Sequence, residues 1–344
     1  MFRNIEIYSF FIGDRMFQYD LLSWYEKNAR ELEFRKNKDA YGIWISEIMA
    51  QQTRIEAMLA YYARFMKELP DIQSLSEVDD EKLNKLWQGL GYYSRARNLK
   101  KCAIICMEEY NGKLPSTKKE LMKLPGIGNY TAGAIASIAF DEKVSAVDGN
   151  VIRVFSRLYN IDEDVTSQKV KKRIENLVDD SLVESRDISH YNQALMELGA
   201  LICIPQNPRC EQCPIKKYCQ AYKQDTQNRL PILKKKKERK IIQKTIYIYT
   251  YKNKIHIHKR SDKGLLAGLY EFDEDLINES NIINKVQIPS YTHIFSHVEW
   301  HMDAYMIEVK EEFDGFVHIE TIEKEYAIPS AFAPFFKEVK GRLS

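Results

Sequence analysis

Four cysteines near the middle of the chain are the residues best suited by type and spacing to chemistry. Cys203, Cys210, Cys213 and Cys219 are separated by six, two and five residues, and three prolines between them keep the segment out of regular structure. Four thiolates suit either a tetrahedral zinc ion or a cubane iron–sulfur cluster. Paired CxxC motifs would favour zinc, and the asymmetric spacing found here does not follow that pattern.

Two carboxylic acids lie in settings that favour acid–base chemistry. Glu47 falls between Ile45 and Ile48 in an apolar helical pattern, where burial would raise its pKa toward that of a useful general acid. Asp148, in the stretch VDGN, follows a predicted helix end. Each has an ordinary alternative, because a helix glutamate is usually solvated and an aspartate in such a turn usually caps a helix.

A glycine-rich stretch, LPGIGNYTAGA, suggests an anion site. Gly126 and Gly128 fit neither the dinucleotide fingerprint nor the Walker loop, because the later glycine and the Gly-Lys-Ser/Thr element that these need are missing. The flanks instead predict helix, hairpin and helix. Glycines bring backbone N–H groups close to a ligand, and the next helix directs its positive end there, which suits a nucleic-acid phosphate. A plain helical turn is the alternative.

The elements that must position these residues change character along the chain. The pattern is helical from Phe17 to about Lys223, and a lysine-rich segment follows it. Beyond that segment, two alternating runs form a hairpin around Asn253, a further alternating run at 297–309 predicts a strand, and a short C-terminal helix follows. We therefore expect an N-terminal extension at 1–15, a helical domain at 16–225, a basic solvated linker at 226–240 and an α+β domain at 241–344. Met16 is an alternative start.

Composition narrows the function class. The chain has 344 residues, 44% of them hydrophobic, and a net charge of +2, so two domains and local basic patches are expected. It has no apolar run long enough to span a membrane, and its first apolar run, at 8–12, is too short for a signal peptide. These features predict a cytoplasmic protein without a membrane partner or a disulfide framework.

Three motifs together resemble a known family. LPGIGNYTAGAIASIAF, AVDGNVIRV and the cysteine loop resemble the helix–hairpin–helix, endonuclease III-like DNA glycosylases, and WISEIMAQQTRI narrows this to the MutY family of adenine glycosylases. The resemblance runs from about Phe17 to the C-terminus. It implies two helical lobes, one [4Fe–4S] cluster on the four cysteines and a NUDIX-like C-terminal domain. It also implies a monomer, associated with a bacterial nucleoid, whose partner is double-stranded DNA with adenine opposite 8-oxoguanine or guanine.

The resemblance gives roles to the catalytic candidates. Glu47 would protonate adenine at N7 and later handle the water, and Asp148 would stabilise the sugar cation or form a covalent intermediate. Asn150 would position the water or Asp148. Tyr130 stands where strand-cutting relatives carry a Schiff-base lysine, so a monofunctional glycosylase is expected. Its hydroxyl is expected near Asp148 or the adjacent backbone, with simple packing as the alternative.

Further residues are expected at the DNA or at a base. The resemblance implies that Gln52 and Tyr92 push into the duplex. It also implies that the FSH loop, Phe295 to His297, recognises 8-oxoguanine, because the Ser296 hydroxyl can both donate and accept a hydrogen bond. A core tyrosine is the alternative at position 92, and an ordinary polar strand end is the alternative for the loop. The complete set is Arg30, Arg35, Gln52, Thr53, Tyr92, Gly126, Gly128, Asn192, Gln193, Phe295, Ser296 and His297.

The sequence departs from the family in three places. Glu33 and Phe34 stand where Pro-Trp is usual, which puts the wall of the adenine pocket in question, and Ile152 replaces a usual lysine or arginine. With no charge at position 152, Arg153 is the residue expected to provide a charged link toward the iron–sulfur cluster. The second domain lacks the glutamate-rich NUDIX box, so we expect recognition without hydrolysis, and a pyrophosphatase is disfavoured. A glycosylase for thymine or uracil and a non-catalytic iron–sulfur sensor of DNA are the competing hypotheses.

Overall fold

The computed structural model describes residues 17–182, 187–234 and 238–343, so the expected extension at 1–15 and Met16 lie outside it. Its described residues form two compact units. The first unit takes residues from 1–52, 71–73 and 101–235, and the second takes residues from 53–70, 74–100 and 236–344. Each unit is therefore built from segments that are far apart in sequence.

Helices dominate the described part of the chain up to Lys223, as predicted. None of its helices is both long and apolar enough to cross a bilayer. The helices are α1 (Phe17–Asn28), α2 (Ala40–Ala50), α3 (Ile55–Glu68), α4 (Ile72–Glu77), α5 (Asp80–Trp87), α6 (Ser94–Glu109), α7 (Lys118–Leu121), α8 (Asn129–Ala139), α9 (Gly149–Leu158), α10 (Gln168–Ser181), α11 (Ile188–Leu201) and α12 (Gln220–Lys223), with α13 (Ile319–Glu325) and α14 (Ala333–Leu343) near the C-terminus.

Helix α2 is the buried helix that carries the candidate acid. The Asp39 side chain caps it by accepting hydrogen bonds from the backbone of Tyr41 and Gly42, and every residue of 41–49 is buried. The helical pattern that the sequence carries on through 55–69 is interrupted after α2, because Gln52 adopts a left-handed conformation with φ of 59°. The run therefore forms two helices, α2 and α3, instead of one.

The predicted helix–hairpin–helix is confirmed in α7 and α8. The first helix begins later than Pro115–Ser116, because the Thr117 side chain accepts from the backbone N–H of Glu120 and fixes the start there. Gly126 turns the chain with φ of 78°, and Gly128 is the N-cap of α8. A Cβ at Gly133 would lie 2.1 Å from the carbonyl oxygen of Ser145, so glycine allows this close approach.

The second unit contains a mixed five-stranded sheet in the order β5-β6-β1-β2-β7. The predicted hairpin between β1 and β2 and the predicted strand β6 are confirmed, and so is the C-terminal helix. The parallel pairing of β1 with β6 and the long strand β5 were not predicted. The strands are β1 (Lys240–Tyr251), β2 (Lys254–His256), β3 (His258–Lys259), β4 (Tyr270–Glu271), β5 (Ile282–Ile294), β6 (Val298–Val309) and β7 (Phe316–His318).

The segment predicted as a solvated linker is packed over its first part. Leu230 is 2% exposed, and the backbone N–H of Val165 donates to the carbonyl of Ile232 at 3.0 Å. The burial of Leu230 accounts for the difference, whereas Leu233, next to the lysine run, is exposed. Residues 235–237 of that run lie outside the described residues.

Candidate functional site

Glu47 is a buried carboxyl group on α2. Only 9% of the residue is exposed, and the hydroxyl of Tyr130 donates a hydrogen bond to its Oε2. Burial raises the pKa of Glu47; the Tyr130 hydrogen bond and the charge of Arg35 oppose this rise, and the charge of Asp148 adds to it. The group is therefore suited to hold a proton at a pH where an ordinary glutamate is ionised.

Tyr130 lies in the first turn of α8 and acts as a neutral donor. Burial raises its pKa well above the ordinary value, and the negative charges of Glu47 and Asp148 raise it further. Its hydroxyl also lies 3.7 Å from the sulfur of Met196. The expectation that this hydroxyl contacts Asp148 or the nearby backbone is wrong, because α8 directs it to Glu47 instead.

Asp148 is both the N-cap of α9 and a partly buried carboxylate. Its Oδ1 accepts from the backbone N–H of Val151 and its Oδ2 accepts from Asn150 Nδ2, each at 2.7 Å. Burial raises its pKa, and these hydrogen bonds oppose the rise. The expected contact with Asn150 is present. A Cβ at Gly199 would lie 2.5 Å from the Cβ of Asn150, so glycine lets α11 approach this cap.

Sequence reasoning missed Glu197, the acid on which two predicted site residues converge. Its side chain is 0% exposed; Arg30 Nε contacts it at 2.7 Å and Arg35 Nη1 at 2.9 Å. Burial opposes ionisation, but the two arginines outweigh it and lower the pKa of Glu197. The sequence signal that could have revealed Glu197 is a single glutamate among the apolar residues of α11. The ion pair fixes Arg35, whose charge acts on Glu47.

Asn192 and Gln193, which the family resemblance makes candidates for lining the adenine pocket or orienting Glu47, are buried on α11. Asn192 accepts from the backbone of Ala146 and donates to the carbonyl of Val144, both at 3.0 Å, which fastens the segment leading to Asp148. Gln193 accepts a hydrogen bond from the Tyr25 hydroxyl at 3.3 Å. Among the described residues, the side chains of Asn192 and Gln193 thus form these hydrogen bonds with groups other than Glu47.

Two residues predicted to enter DNA have strained backbones. Gln52, in the first unit, is exposed with φ of 59°, and Tyr92, in the second unit, is 47% exposed with φ of 47°. Left-handed conformations are unfavourable for residues other than glycine and cluster at functional sites. The core alternative for Tyr92 is thus wrong. Thr53 is half-buried beside Gln52, and Gly126 and Gly128 are exposed in the hairpin.

The four cysteines line a single cavity of the first unit. Burial raises the pKa of Cys213 to about 12, so several thiolates are stable there only beside a cationic centre, as an iron–sulfur cluster provides. The predicted link from Arg153 exists, since its Nε donates to the carbonyl of Cys203 at 2.7 Å. Arg157, which sequence reasoning missed, donates to the sulfur of Cys203 at 3.3 Å.

We expect Arg157→Met to loosen the cysteine loop and to lower the melting temperature. Its guanidinium, 1% exposed, also donates to the carbonyls of Ile204, Pro205 and Leu230 at 2.7, 2.8 and 3.0 Å. Leaving these carbonyls without their donor, the one of Leu230 in a buried residue, should cost about 3 kcal/mol of folding free energy. Iron content and visible absorbance on heating measure the effect. Arg209→Met, at an exposed position of the same loop, is the control, and equal behaviour of the two variants would contradict the assignment.

The FSH loop of the second unit lies at a cavity of about 320 Å³. Phe295 N–H donates to the carbonyl of Val298 at 2.8 Å, which makes the tight turn between β5 and β6, and the Phe295 ring contacts Trp300 edge-on. Ser296 and His297 are exposed at the turn. The cavity is lined by residues 91–94, Arg97, 264–267, 293–297 and Ser330, so Tyr92 and the FSH loop share it.

Three family models match separate parts of the chain. The HhH-GPD superfamily of base excision DNA repair proteins matches residues 45–180, which include Glu47, Tyr130 and Asp148. A NUDIX domain matches 245–338. The iron–sulfur binding domain of endonuclease III matches 203–219, the segment bounded by the first and last cysteines of the loop. The loop is therefore a [4Fe–4S] site, which resolves the choice between zinc and iron that the spacing left open.

Curated relatives cover most of the chain. The adenine DNA glycosylase of Buchnera aphidicola subsp. Schizaphis graminum (strain Sg) is 36% identical over 303 residues, 84% of this chain and 86% of that protein. The adenine DNA glycosylase of Rattus norvegicus is 44% identical over 226 residues, which cover 63% of this chain. The match spans 44% of the rat protein, less than half its length.

Solved structures share the fold over 62% of the chain. A thermostable thymine-DNA glycosylase superposes with a TM-score of 0.57 at 27% identity and covers 62% of this chain and 98% of its own. Endonuclease III from a non-covalent DNA complex superposes with a TM-score of 0.52 at 24% identity, and it also covers 62% of this chain and 98% of its own. Family models, relatives and the acid pair on α2 and α9 agree: this chain belongs to the adenine DNA glycosylase family of base excision repair enzymes.

Proposed function

We propose that this chain is a monofunctional glycosylase that hydrolyses the N-glycosidic bond of adenine paired with 8-oxoguanine or guanine in duplex DNA. The observation that carries the proposal is the buried Glu47, hydrogen-bonded by Tyr130 and electrostatically coupled to Asp148. One group that retains a proton and a second carboxylate near it are what glycoside hydrolysis requires. The names of the relatives support adenine as the base.

The reaction begins with adenine turned out of the helix, which costs a few kcal/mol of unstacking. Protonated Glu47 donates its proton to N7 of adenine, and the bond between C1′ and N9 breaks with its electron pair leaving on the base. The sugar becomes a cation, which the Asp148 carboxylate stabilises. A water molecule then adds its oxygen to C1′ and returns a proton to Glu47, so the enzyme is restored.

The protonation states follow from the coupling of the two carboxyl groups. Burial disfavours ionisation of both carboxyl groups, and the charge of Asp148 further disfavours ionisation of Glu47, so Glu47 keeps its proton to a higher pH than an ordinary glutamate. Asp148 accepts two hydrogen bonds that favour its ionised form, from Val151 N–H and Asn150. Glu47 accepts one such bond, from Tyr130, and is more deeply buried, so the proton belongs on Glu47.

Position 130 makes water the nucleophile. Glycosylases that also cut the strand use an amine, which forms a Schiff base with the sugar. Tyr130 has no amine, and its hydroxyl, held neutral by a raised pKa, is engaged with Glu47. The DNA product should therefore retain an intact backbone at the abasic site until alkali breaks it.

DNA is held through the backbone and recognised through the second unit. The hairpin at Gly126 and Gly128 directs the positive end of α8 outward, which suits a phosphate, while strained Gln52 and Tyr92 provide side chains that can enter the base stack. The cavity beside Ser296 is large enough for a base, and its serine hydroxyl can donate as well as accept.

A single-turnover assay tests the proposal with duplexes carrying adenine opposite 8-oxoguanine, guanine or thymine, with and without alkali. We expect Ser296→Ala to lower the rate ratio of the 8-oxoguanine duplex to the guanine duplex about tenfold, the effect of about 1.4 kcal/mol. Ser290→Ala is the control, because Ser290 is exposed on β5 and bonds Asp303 outside the cavity. An unchanged rate ratio in Ser296→Ala would contradict the role of Ser296 in recognising 8-oxoguanine. Strand cutting without alkali would contradict the monofunctional reaction.

A further inference from the structure

Two histidines and an aspartate form a compact cluster in the second unit that the glycosylase reaction does not use. His256 ends β2, His258 begins β3, and Asp273 follows β4. One ligand atom from each lies within 4.8 Å of the others. Two imidazoles and one carboxylate are a donor set typical of divalent transition metals.

The orientation of His258 is that of a metal ligand. Its Nδ1 is buried and has no hydrogen-bond partner within the described chain, although Asp273 Oδ1 is 3.4 Å away. Its Nε2 lies 3.4 Å from Glu271 Oε1, and Arg260 pairs with the other oxygen of that carboxylate. Metal-binding histidines commonly have a carboxylate beside their second ring nitrogen, as Glu271 is here.

His256 is held rigidly beside the same carboxylate. Its Nδ1 lies 2.8 Å from Asp273 Oδ2, and the residue is 7% exposed. The ring stands 4.9 Å, between centroids, from the ring of Phe313. A Cβ at Gly315 would lie 2.5 Å from His256 Nε2, so that face of the imidazole is closed by the backbone. Such preorganisation lowers the ordering cost of binding an ion.

We propose that His256, His258 and Asp273 bind a divalent transition metal, with zinc as the ion that the donors suit best. Ligands about 2.0 Å from a tetrahedral zinc lie about 3.3 Å apart. His258 Nδ1 lies 3.4 Å from Asp273 Oδ1, and His256 Nδ1 lies 2.8 Å from Asp273 Oδ2. The three ligand atoms lie within 4.8 Å of one another, so side-chain rotation is needed to bring them onto one ion. A water molecule takes the fourth position.

The ion would fasten the base of a loop that lines the recognition cavity. β3 and β4 pair directly, and residues 264–267 of the loop between them face the cavity. Arg97 Nη1, also at the cavity, donates to the carbonyl of Ala267 at 2.9 Å. Metal at the foot of this hairpin would restrict the loop, while the metal site itself does not depend on the proposed base specificity.

A proton is the competing occupant. Without metal, the neighbouring carboxylates of Asp273 and Glu271 raise the pKa of His258 to about 9, which makes the cluster an ordinary ion pair. Calorimetric titration of the full-length, iron-loaded protein with zinc chloride distinguishes the two states. We expect one zinc per chain with micromolar or tighter affinity, and unchanged iron content.

The matched variants are His258→Ala and His301→Ala. His301 also pairs with a glutamate, at 2.7 Å, but lies outside the cluster. We expect His258→Ala to weaken zinc binding at least about tenfold, since one of three protein ligands is lost, and His301→Ala to bind like the parent. Zinc should also slow hydrogen exchange in residues 260–269 of the parent and of His301→Ala only.

The proposal is overturned by failure of the parent protein to bind zinc, or by equal affinity in the parent and in His258→Ala. Zinc taken up by the cysteine loop would appear as iron released in both proteins, which also counts against the site. Because His258 is half-exposed, its variant should fold, and iron content with melting temperature verifies this. Asp273→Asn, which keeps the shape of the side chain, should show the same loss of zinc affinity.

Discussion

Glu47→Gln is expected to lower the single-turnover rate of adenine release by about 10²–10⁴-fold, the range for loss of a general acid. Glutamine keeps the shape of the side chain and can still accept the hydrogen bond from Tyr130, but it has no proton to deliver to N7. Affinity for the mismatched duplex should stay within a few-fold of the parent, because glutamine matches the size and the neutral charge of the protonated Glu47 side chain.

The same substitution should make the protein more stable, with a gain that depends on pH. Burial holds the pKa of Glu47 above its unfolded-state value, so the folded protein is destabilised by ionisation once the pH exceeds the unfolded-state pKa. This penalty grows until the pH passes the folded pKa and is constant above it. Glutamine never ionises. We expect a gain of about 1 kcal/mol, or about 1–2 °C for a chain of 344 residues, near pH 8.5 and a smaller one near pH 5.5.

Melting curves and a binding assay at both pH values check these two results together. Glu26→Gln, at an exposed position of α1, is the control and should change neither activity nor melting temperature. A Glu47→Gln protein that lost activity together with stability or DNA affinity would assign a structural role to Glu47.

The residues that sequence reasoning found share a local context, and those it missed are defined by distant partners. Glu47 and Asp148 lie in continuous motifs, whereas Glu197 is recognisable only through Arg35 and Arg30, which stand 162 and 167 positions earlier. Likewise, the pattern IHIH reads as an alternating strand, and the partner carboxylate Asp273 follows 17 positions after His256. Local patterns do not contain such pairings.

The sheet shows the same limit. The hairpin of β1 and β2 was predictable because a short polar turn joins two alternating runs. The parallel pairing of β1 with β6 joins strands separated by many residues, and sequence period does not reveal which strands become neighbours. Strand β5 is mostly exposed and has a mixed polar sequence, so it lacks the apolar alternation that would have predicted it.

Asp148→Asn is expected to lower adenine release by about 10²–10³-fold, since the charge that stabilises the sugar cation is removed. Asparagine is as good an N-cap as aspartate, so its oxygen can still accept from Val151 N–H and hold the start of α9. Its amide nitrogen then faces Asn150, and the lost bond should cost about 1 kcal/mol. Binding of the mismatched duplex should be nearly unchanged.

The residual activity of Asp148→Asn separates a catalytic from a structural role through its pH dependence. The charge of Asp148 contributes to the raised pKa of Glu47, so removing it should lower that pKa. Because the acid must be protonated, the alkaline fall in rate should move to lower pH. Single-turnover rates between about pH 5.5 and about pH 8.5 measure this shift.

The control for this pH shift is Asp141→Asn, a change at a surface carboxylate that is 57% exposed and paired with Lys38. Its rate profile should match that of the parent, because an exposed charge is screened and does not act on Glu47. If Asp148 only capped α9, its variant would lose rate equally at every pH. A displaced alkaline limb requires that Asp148 and Glu47 share one electrostatic site, as the coupled acid pair demands.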